Sequence, residues 1–362
     1  MINLTRRSLV TLMTSVAVLL TVGCAPTQPP QAESNPGAGE TSPVSDATAT
    51  GEINLYSSRH YDSDDALYQT FTQQTGIQVN LIEGEADKLI ERIQTEGQNS
   101  PADVLITVDA GNLWHAEQAG IFQPVSSPVL EQSIPPTLRH PEGLWFGFSR
   151  RARVIVYNTA TVNPSELSTY EALAAPEWQG RICVRSSSNI YNQSLVASKI
   201  ETLGVEETEK WAKSLVDNFA REPEGNDTAQ VKAVAQGVCD VAIVNHYYIA
   251  RLIKSDKPED QEVAQAVGVF FPQPTHVNIS GGGVAVNAPN RENAIKFLEF
   301  LVGVEAQKSF AEAANEYPAV SGVPTDAVVS QFGEFASDEV NVASYGKNNP
   351  EAVKLMDRVG WK

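Results

Sequence analysis

Three apolar runs in the sequence are each followed, within a few residues, by tyrosine. The side chains past these runs that could do chemistry are His60, Tyr61, Tyr191, Tyr247 and Tyr248. Each run predicts a strand that leads into a helical pattern. Because open α/β sheets bind ligands just past the carboxyl ends of their strands, these four phenols and one imidazole form a candidate binding site.

Phenols select strongly among metal ions. A tyrosine has a pKa near 10, so a free phenol is neutral in water and binds metals poorly. A Lewis-acidic trivalent cation displaces the proton and gains a hard anionic oxygen, because metal binding and ligand deprotonation are linked. Zn or Cu sites would show more His or Cys, and Ca or Mg sites more carboxylate. Fe(III) is the biological ion that best suits several such donors.

The adjacent pair Tyr247 and Tyr248 places a condition on the local backbone. Neighbouring residues of a continuing strand point to opposite faces, so two adjacent phenols could not reach one ion. At the start of a helix they are about 100° apart, and their long side chains can converge. We therefore expect the strand to end before Tyr247, and the same holds for His60 and Tyr61.

The rest of the chain predicts two α/β lobes. Short apolar runs alternate with amphipathic helices from residue 52 onward, which is typical of α/β sheets. Residues 153–158 and 281–286 are predicted to be strands that cross between the lobes, and two crossings form a hinge with a closing cleft. The predicted segments are lobe 1 at 52–150, lobe 2 at 151–280, a return to lobe 1 at 281–322, and a C-terminal helical segment at 323–362 that packs on lobe 2.

Length and charge set the broad class. With 362 residues and 42% hydrophobic content, the chain can bury a substantial core and favours two domains over one. The formal net charge of −18 argues against nucleic acid or an anionic membrane surface as a partner.

The first residues predict export. Residues 1–23 combine Arg6 and Arg7 with a mostly apolar stretch, the layout of a signal peptide. The stretch is short for a membrane span, which needs about 20 apolar residues. The arginine pair resembles a twin-arginine signal, but ordinary secretory signals also carry such pairs, so both routes stay open. Residues 24–51 are rich in Pro, Ala, Ser and Thr, which predicts a disordered tether.

The three cysteines have different expected fates. Gly23-Cys24 resembles a lipoprotein cleavage box, in which Cys24 takes a lipid anchor. Thr21 departs from the Leu that is usual at that position, so an anchored and a free periplasmic form both remain alternatives.

Cys183 and Cys239 lie in or beside predicted strands of lobe 2. In an exported protein such cysteines form a disulfide if their strands are neighbours, and the alternative is two buried thiols. We expect the bridge, because processing at Cys24 leaves an even pair.

Three motifs together resemble one protein family. They are Tyr-Ser-Ser-Arg-His-Tyr at 56–61, Arg-Ser-Ser-Ser-Asn-Ile-Tyr-Asn at 185–192 and Asn-His-Tyr-Tyr at 245–248. The combination resembles the bacterial ferric-iron-binding proteins, and most closely their cyanobacterial branch. These are periplasmic, transferrin-like solute-binding proteins of ABC iron importers. The resemblance covers nearly all of residues 52–362.

The resemblance implies a type II periplasmic-binding-protein fold, with two α/β lobes joined by hinge strands and a ligand cleft between them. It also implies a monomer that delivers its iron to an ABC permease in the inner membrane. The implied Fe(III) ligands are His60, Tyr61, Tyr191, Tyr247 and Tyr248. Other branches of the family coordinate iron with a carboxylate and an exogenous anion. Glu85 and Asp109 are therefore possible but less favoured ligands. Both an additional anion in the coordination shell and Fe(II) as the bound ion remain alternatives.

Several polar residues are candidates for a supporting role around the phenols. An anionic cluster in a cleft needs charge compensation. The candidates are Arg150, Arg151, Arg185, Ser187 and Asn189. For the arginines, the alternative is an ordinary surface ion pair.

Two other classes of function compete with iron binding. In the first, a solute-binding protein takes an oxyanion or a small organic ligand, gripped by Ser186, Ser187, Ser188 and a helix N-terminus, while the tyrosines only line the wall. The second is an enzyme. The sequence shows no nucleophile setting, phosphate loop or paired zinc motif, and we therefore expect a binding protein.

Overall fold

The computed structural model describes residues 51–59 and 61–362. The predicted signal peptide, the tether up to residue 50, Cys24 and His60 lie outside these residues, and Gly51, the last residue of the predicted tether, begins a strand. The strands are β1 (Gly51–Ser57), β2 (Ile77–Glu83), β3 (Val104–Val108), β4 (Phe146–Asn158), β5 (Ile182–Cys183), β6 (Val241–Asn245), β7 (Val267–Phe270), β8 (Val277–Val284) and β9 (Tyr317–Pro318).

Helices alternate with these strands along most of the chain. The helices are α1 (Asp62–Thr75), α2 (Ala86–Glu96), α3 (Ala110–Gln118), α4 (Pro128–Ser133), α5 (Ile190–Leu203), α6 (Val205–Asp217), α7 (Asp227–Ala235), α8 (His246–Ile253), α9 (Pro258–Ala266), α10 (Arg291–Leu301), α11 (Val304–Glu312), α12 (Ala327–Ser330) and α13 (Ala343–Val359). No helix within the described ranges has the length and apolarity needed to cross a membrane.

The sheet contains two parallel sets of strands joined by antiparallel ones. Its order is β2-β1-β3-β8-β4-β6-β5, with β7 and β9 also paired to β4. Strand β1 is parallel to β2 and β3, and β5 is parallel to β6. Strands β8 and β4 are antiparallel to their neighbours in the order. The fold therefore consists of two α/β lobes, one around β1 and one around β6, joined by β4 and β8.

The two joining strands are longer than the sequence predicts. Strand β4 pairs with β8 through its first half and with β6 from Arg153 onward. Strand β8 begins at Val277, ahead of its run of three glycines. A Cβ atom on Gly283 would lie 2.1 Å from the carbonyl oxygen of Leu144. These glycines therefore allow close backbone packing inside a strand, where a glycine run more often marks a loop.

The candidate tyrosines lie where strands give way to helices. All five residues of β6 are buried, as expected for a strand that is covered on both faces. Tyr247 and Tyr248 are the second and third residues of α8, and Tyr191 is the second residue of α5. Tyr61 immediately precedes α1. The predicted change from strand to helix before Tyr247 is confirmed.

Helix α13 is the main element of the segment that was expected to pack on the second lobe. It packs along α5 and α6 of that lobe and also against α3 of the first lobe. A Cβ atom on Gly346 would lie 2.0 Å from the Cβ of Trp114, so only glycine allows this approach of α13 to α3. The helix therefore contacts both lobes.

The second lobe contains the expected disulfide. Cys183 and Cys239 are bonded, and Cys183 in β5 pairs with Ala242 in β6. The prediction that the two strands are neighbours is confirmed, and so is the disulfide between Cys183 and Cys239.

Removal of this disulfide should destabilise the metal-free protein. The bridge closes a loop with a sequence separation of 56. Cross-linking reduces the entropy of the unfolded chain, so the double substitution Cys183→Ala and Cys239→Ala should lower the free energy of unfolding by about 2 to 4 kcal/mol. Urea unfolding checks this. Chemically reduced wild type serves as the control, and an unfolding midpoint unchanged by reduction and by the substitutions would contradict it.

Candidate metal centre

The turn from β6 into α8 presents two phenols side by side. The rings of Tyr247 and Tyr248 lie 4.4 Å apart and are tilted by 32°. A hydrogen bond fixes the backbone of this turn: the Asn245 N–H donates to Oδ2 of the buried Asp227 at 2.8 Å. The two adjacent phenols can thus serve one site, as the helical geometry requires.

A third phenol reaches this pair from the turn between β5 and α5. The hydroxyl of Tyr247 donates to the hydroxyl of Tyr191 at 3.5 Å. The backbone N–H of Tyr191 is bonded to the side-chain oxygen of Asn189, which caps α5. Two strand ends of the second lobe therefore bring their tyrosine hydroxyls together.

The fourth phenol comes from the first lobe. The Arg251 guanidinium lies 4.8 Å from the ring centroids of both Tyr61 and Tyr247. The Tyr61 hydroxyl also donates to Oε1 of Glu316 at 3.5 Å. Tyr61 thus faces the tyrosines of the second lobe with a cation between the rings.

Burial favours the neutral form of Tyr61, Tyr247 and Tyr248. It raises the pKa of Tyr247 well above the ordinary value, and the phenols of Tyr191, Tyr61 and Tyr248 add to the shift. Burial, followed by the Glu316 carboxylate, raises the pKa of Tyr61 to about 12. Burial and then Tyr191 raise the pKa of Tyr248. Ionising several of these groups together requires a strongly charged cation at the site.

Three arginines lie around Tyr191, the phenol that α5 carries. The guanidinium carbons of Arg151, Arg185 and Arg153 lie 5.2, 5.4 and 5.8 Å from the Tyr191 ring centroid. Arg153 and Arg185 also pair with Asp227, at 2.9 and 3.3 Å. Among the described residues, Nε and Nη1 of the buried Arg151 have no hydrogen-bond partner. The site therefore contains positive charge that could offset phenolates.

Three of the predicted supporting residues have other contacts. The Arg150 Nε donates to the Pro318 carbonyl at 2.8 Å, and the guanidinium lies near Tyr317. Adjacent strand residues face opposite sides, which separates Arg150 from Arg151. Ser187 donates its backbone N–H to the Lys362 carbonyl at 3.0 Å. Asn189 caps α5, so its contact with the site runs through the Tyr191 backbone.

The serine segment before α5 uses its own donors. Besides Ser187, the N–H of Ser188 donates to Oγ of Ser186 and that of Asn189 donates to the Ser186 carbonyl. These N–H groups would have to leave their partners to grip an oxyanion. The arrangement therefore gives little support to an anion cradle built on the serines.

The imidazole and carboxylates near the site are in structural positions. His246 is fully buried, its Nδ1 accepts from the Ala152 N–H at 3.2 Å, and burial is the main cause that lowers its pKa to about 4. Asp109 caps α3, and Glu85 is exposed at the start of α2. Across the described ranges, no group of three or more His, Cys, Asp or Glu side chains is arranged to hold a metal ion.

Sequence reasoning missed several charged residues of the site, among them Arg153 and its partner Asp227. Arg251 follows Tyr247 and Tyr248 by one helical turn, a spacing that places it on their face of α8 and that could have revealed it. The buried Glu316 contacts Arg59 at 3.1 Å, and Arg59 also pairs with Asp64 at 2.7 Å. Although burial alone raises a carboxyl pKa, Arg59, Arg151 and a hydrogen bond from Ser149 hold the pKa of Glu316 below its usual range.

Known proteins resemble this chain over most of its length. Residues 66–337 match the family described as bacterial extracellular solute-binding protein. "Iron uptake protein A2" of Synechocystis sp. (strain ATCC 27184 / PCC 6803 / Kazusa) is 57% identical over 316 residues, which cover 86% of this chain and 90% of that protein.

Solved structures agree with the sequence relatives. The Trichodesmium protein IdiA (FutA), in complex with iron and citrate ligands, matches with a TM-score of 0.85 and 65% identity, covering 86% of this chain and all (100%) of that one. Apo FutA2 from Synechocystis PCC6803 matches with a TM-score of 0.84 and 56% identity, covering 87% and 100% of the two chains. The chain therefore belongs to the bacterial extracellular solute-binding protein family.

Proposed function

We propose that this protein binds Fe(III) outside the cytoplasm through tyrosine phenolates and delivers it to an ABC permease in the inner membrane. The proposed ligands are His60, Tyr61, Tyr191, Tyr247 and Tyr248. The observation that carries the proposal is the convergence of phenols from both lobes. The hydroxyls of Tyr191 and Tyr247 of the second lobe are 3.5 Å apart, and the Arg251 guanidinium lies 4.8 Å from the ring centroids of both Tyr247 and Tyr61 of the first lobe. The match to an iron uptake protein and to a structure with bound iron supports the choice of metal.

The chemistry of binding follows from the buried phenols. As the ion enters, the phenols lose their protons and the cleft loses its water, and a charge of three helps to neutralise the anionic oxygens formed. Arg151 and Arg251 lie against the rings and offset further negative charge. Fe(II) carries less charge and would compensate fewer phenolates, so we propose Fe(III) as the preferred cargo.

An anion is proposed to complete the coordination of the iron. Nε and Nη1 of the buried Arg151 have no hydrogen-bond partner among the described residues, and a guanidinium N–H donates well to a carboxylate oxygen. A small organic carboxylate held there would lie beside the Tyr191 ring. The Trichodesmium relative was solved with iron and citrate, which is consistent with this class of ligand.

Closure of the two lobes is proposed to accompany binding. The proposed division places residues 52–150 and 281–322 in one lobe and 151–280 in the other, with the joining strands as the hinge. An ion stabilises the closed form only through contacts that both lobes make to it. Tyr61 on one side and Tyr191, Tyr247 and Tyr248 on the other supply such contacts.

The proposed setting is the periplasm. Family membership indicates a solute-binding protein that acts outside the cytoplasm as part of a transport system and is not an enzyme. We propose that the protein acts as a monomer and leaves the cytoplasm through the signal at 1–23. The proposal includes export by either the twin-arginine or the general secretory route, and a form that is either anchored by a lipid on Cys24 or free in the periplasm.

Loading the purified protein with Fe(III) should produce a visible absorption band from phenolate-to-metal charge transfer. Tyr191→Phe or Tyr247→Phe should weaken or shift this band, because one phenolate is lost. Each should also lower iron affinity by more than the roughly 10- to 100-fold that loss of an outer neighbour of a metal costs. Absorption spectra and chelator competition measure both effects.

Tyr317→Phe provides the matched control. The Tyr317 hydroxyl is buried and has no hydrogen-bond partner in the described part of the chain, so its removal should leave the band and the affinity unchanged. A wild-type protein that stays colourless with Fe(III), but binds an oxyanion or a small organic ligand, would contradict the proposal and favour the competing class of solute-binding protein.

Acidification should weaken iron binding steeply. Burial raises the pKa of Tyr247, Tyr61 and Tyr248, so these phenols are protonated at neutral pH before the ion enters. Each phenol that ionises on binding lowers the apparent affinity about tenfold per unit of falling pH. We expect the release of about four protons per ion, one for each phenol.

Proton release can be counted directly in weakly buffered solution, with the proton uptake of the iron-donating chelator subtracted. Tyr191→Phe should release about one proton fewer than wild type. Release of no proton, or an affinity that is independent of pH, would argue that the phenols stay neutral and only line the cleft.

A further inference from the structure

A buried hydrogen bond joins the two lobes beside the candidate metal centre. Ser194 lies in α5, three residues after Tyr191, and Asp109 lies between β3 and α3 in the first lobe. The hydroxyl of Ser194 donates to Oδ1 of Asp109. Both side chains are fully buried. The helix that carries Tyr191 is therefore bonded directly to the opposite lobe.

The backbone of Asp109 is in an unusual conformation. Its φ is 78° and its ψ is 131°, a region that residues other than glycine rarely adopt. Such a conformation persists only where the surroundings hold it in place, and it is often found at functional positions. The strained residue is thus the one that contacts the other lobe.

Several hydrogen bonds fix Asp109 against a joining strand. Its own N–H donates to the Ile279 carbonyl at 2.9 Å, and the next N–H, of Ala110, donates to Oδ1 of Asn278 at 2.9 Å. Its Oδ1 also accepts the Gly111 N–H at 2.9 Å. The acceptor that Ser194 meets is therefore held at a defined position on β8.

The two helices also approach closely at this point. A Cβ atom on Gly111, at the start of α3, would lie 2.7 Å from Cδ1 of Ile190 at the start of α5. In an α-helix, residues three apart lie on one face, so Ser194 faces the same side as Tyr191. The first lobe and α5 thus contact each other through tight packing and a directed hydrogen bond.

We propose that Asp109 and Ser194 form a closing contact that holds α5, and with it Tyr191, against the first lobe and slows the release of the bound ion. The inference rests on the proposed function. The two residues position a ligand and do not coordinate the metal. Oδ1 of Asp109 is occupied by two donors, Oδ2 has no hydrogen-bond partner among the described residues, and the nearby Arg151 guanidinium attracts this carboxylate.

The contact favours one state of the cleft. It is made when α5 and the first lobe lie together, so it adds free energy to the closed form alone. A chelator outside the cleft can remove the ion only after the lobes separate. Loss of the contact should therefore increase the rate of iron loss while the phenols that coordinate the ion stay intact.

Ser194→Ala tests the proposal because it removes only the donor hydroxyl. A hydrogen bond to a charged acceptor is worth enough that its loss should speed iron transfer to an excess of a competing chelator about tenfold or more. The visible band of the loaded protein should keep its position, since all four phenols remain. The metal-free variant should show a larger radius in solution scattering, because the open form gains population.

Ser198→Ala is the matched control on the same helix. Ser198 is also buried, but its hydroxyl donates to the Leu195 carbonyl within α5, so this variant should lose iron at the wild-type rate and keep the wild-type radius. Asp109→Asn retains the Oδ1 acceptor and should release iron more slowly than Ser194→Ala. Thermal unfolding confirms that each variant is folded.

The outcomes separate this inference from the proposed function. Equal rates of iron loss and equal radii for Ser194→Ala, Ser198→Ala and wild type would overturn the closing contact, even if the protein binds iron as proposed. A wild type that takes up no iron would overturn the proposed function, and the scattering radii of the metal-free variants would still decide whether the contact holds the lobes together.

Discussion

The high cost of ionising a buried phenol is the physical constraint on which the site depends. Burial raises the pKa of Tyr61, Tyr247 and Tyr248, and each neighbouring phenol makes the next ionisation harder. A weakly charged ligand cannot offset that cost, so the arrangement discriminates in favour of highly charged cations. The nearby arginines reduce the cost, since Arg151 lies over the Tyr191 ring and Arg251 lies over the rings of Tyr61 and Tyr247.

The fold meets this constraint through topology. Strand ends β1, β5 and β6 belong to two lobes, yet each delivers a tyrosine to the same cleft because parallel strands of α/β lobes end on one side. The joining strands β4 and β8 contribute charge as well as connection, since Arg151 and Arg153 lie on β4. Glu316 accepts hydrogen bonds from Ser149 on β4 and Ser280 on β8. These bonds hold a buried carboxylate at the position where it also accepts from the Tyr61 hydroxyl.

Much of this could be predicted from local sequence patterns. The phenols at 61, 191, 247 and 248 follow recognisable strands. Cys183 lies in β5, and Cys239 lies two residues before the neighbouring strand β6. Glu316 could not be found in this way, because it is 255 residues from Tyr61 and lies in no motif. The predicted strand at 281–286 included the three glycines of β8 but missed the residues 277–280 ahead of them. The packing of α13 on both lobes depends on Gly346, a residue type that gives no sign of its partner.

The distribution of tyrosines between the lobes is uneven. The second lobe carries Tyr191, Tyr247 and Tyr248, which follow the adjacent strands β5 and β6. Tyr61 is the lone described phenol from the first lobe at the site. For the proposed function, this asymmetry implies an order of events. A cation can bind first to the three phenols of the second lobe while the cleft is open. Coordination by Tyr61 then follows only when the two lobes close, so the closed form marks the loaded protein.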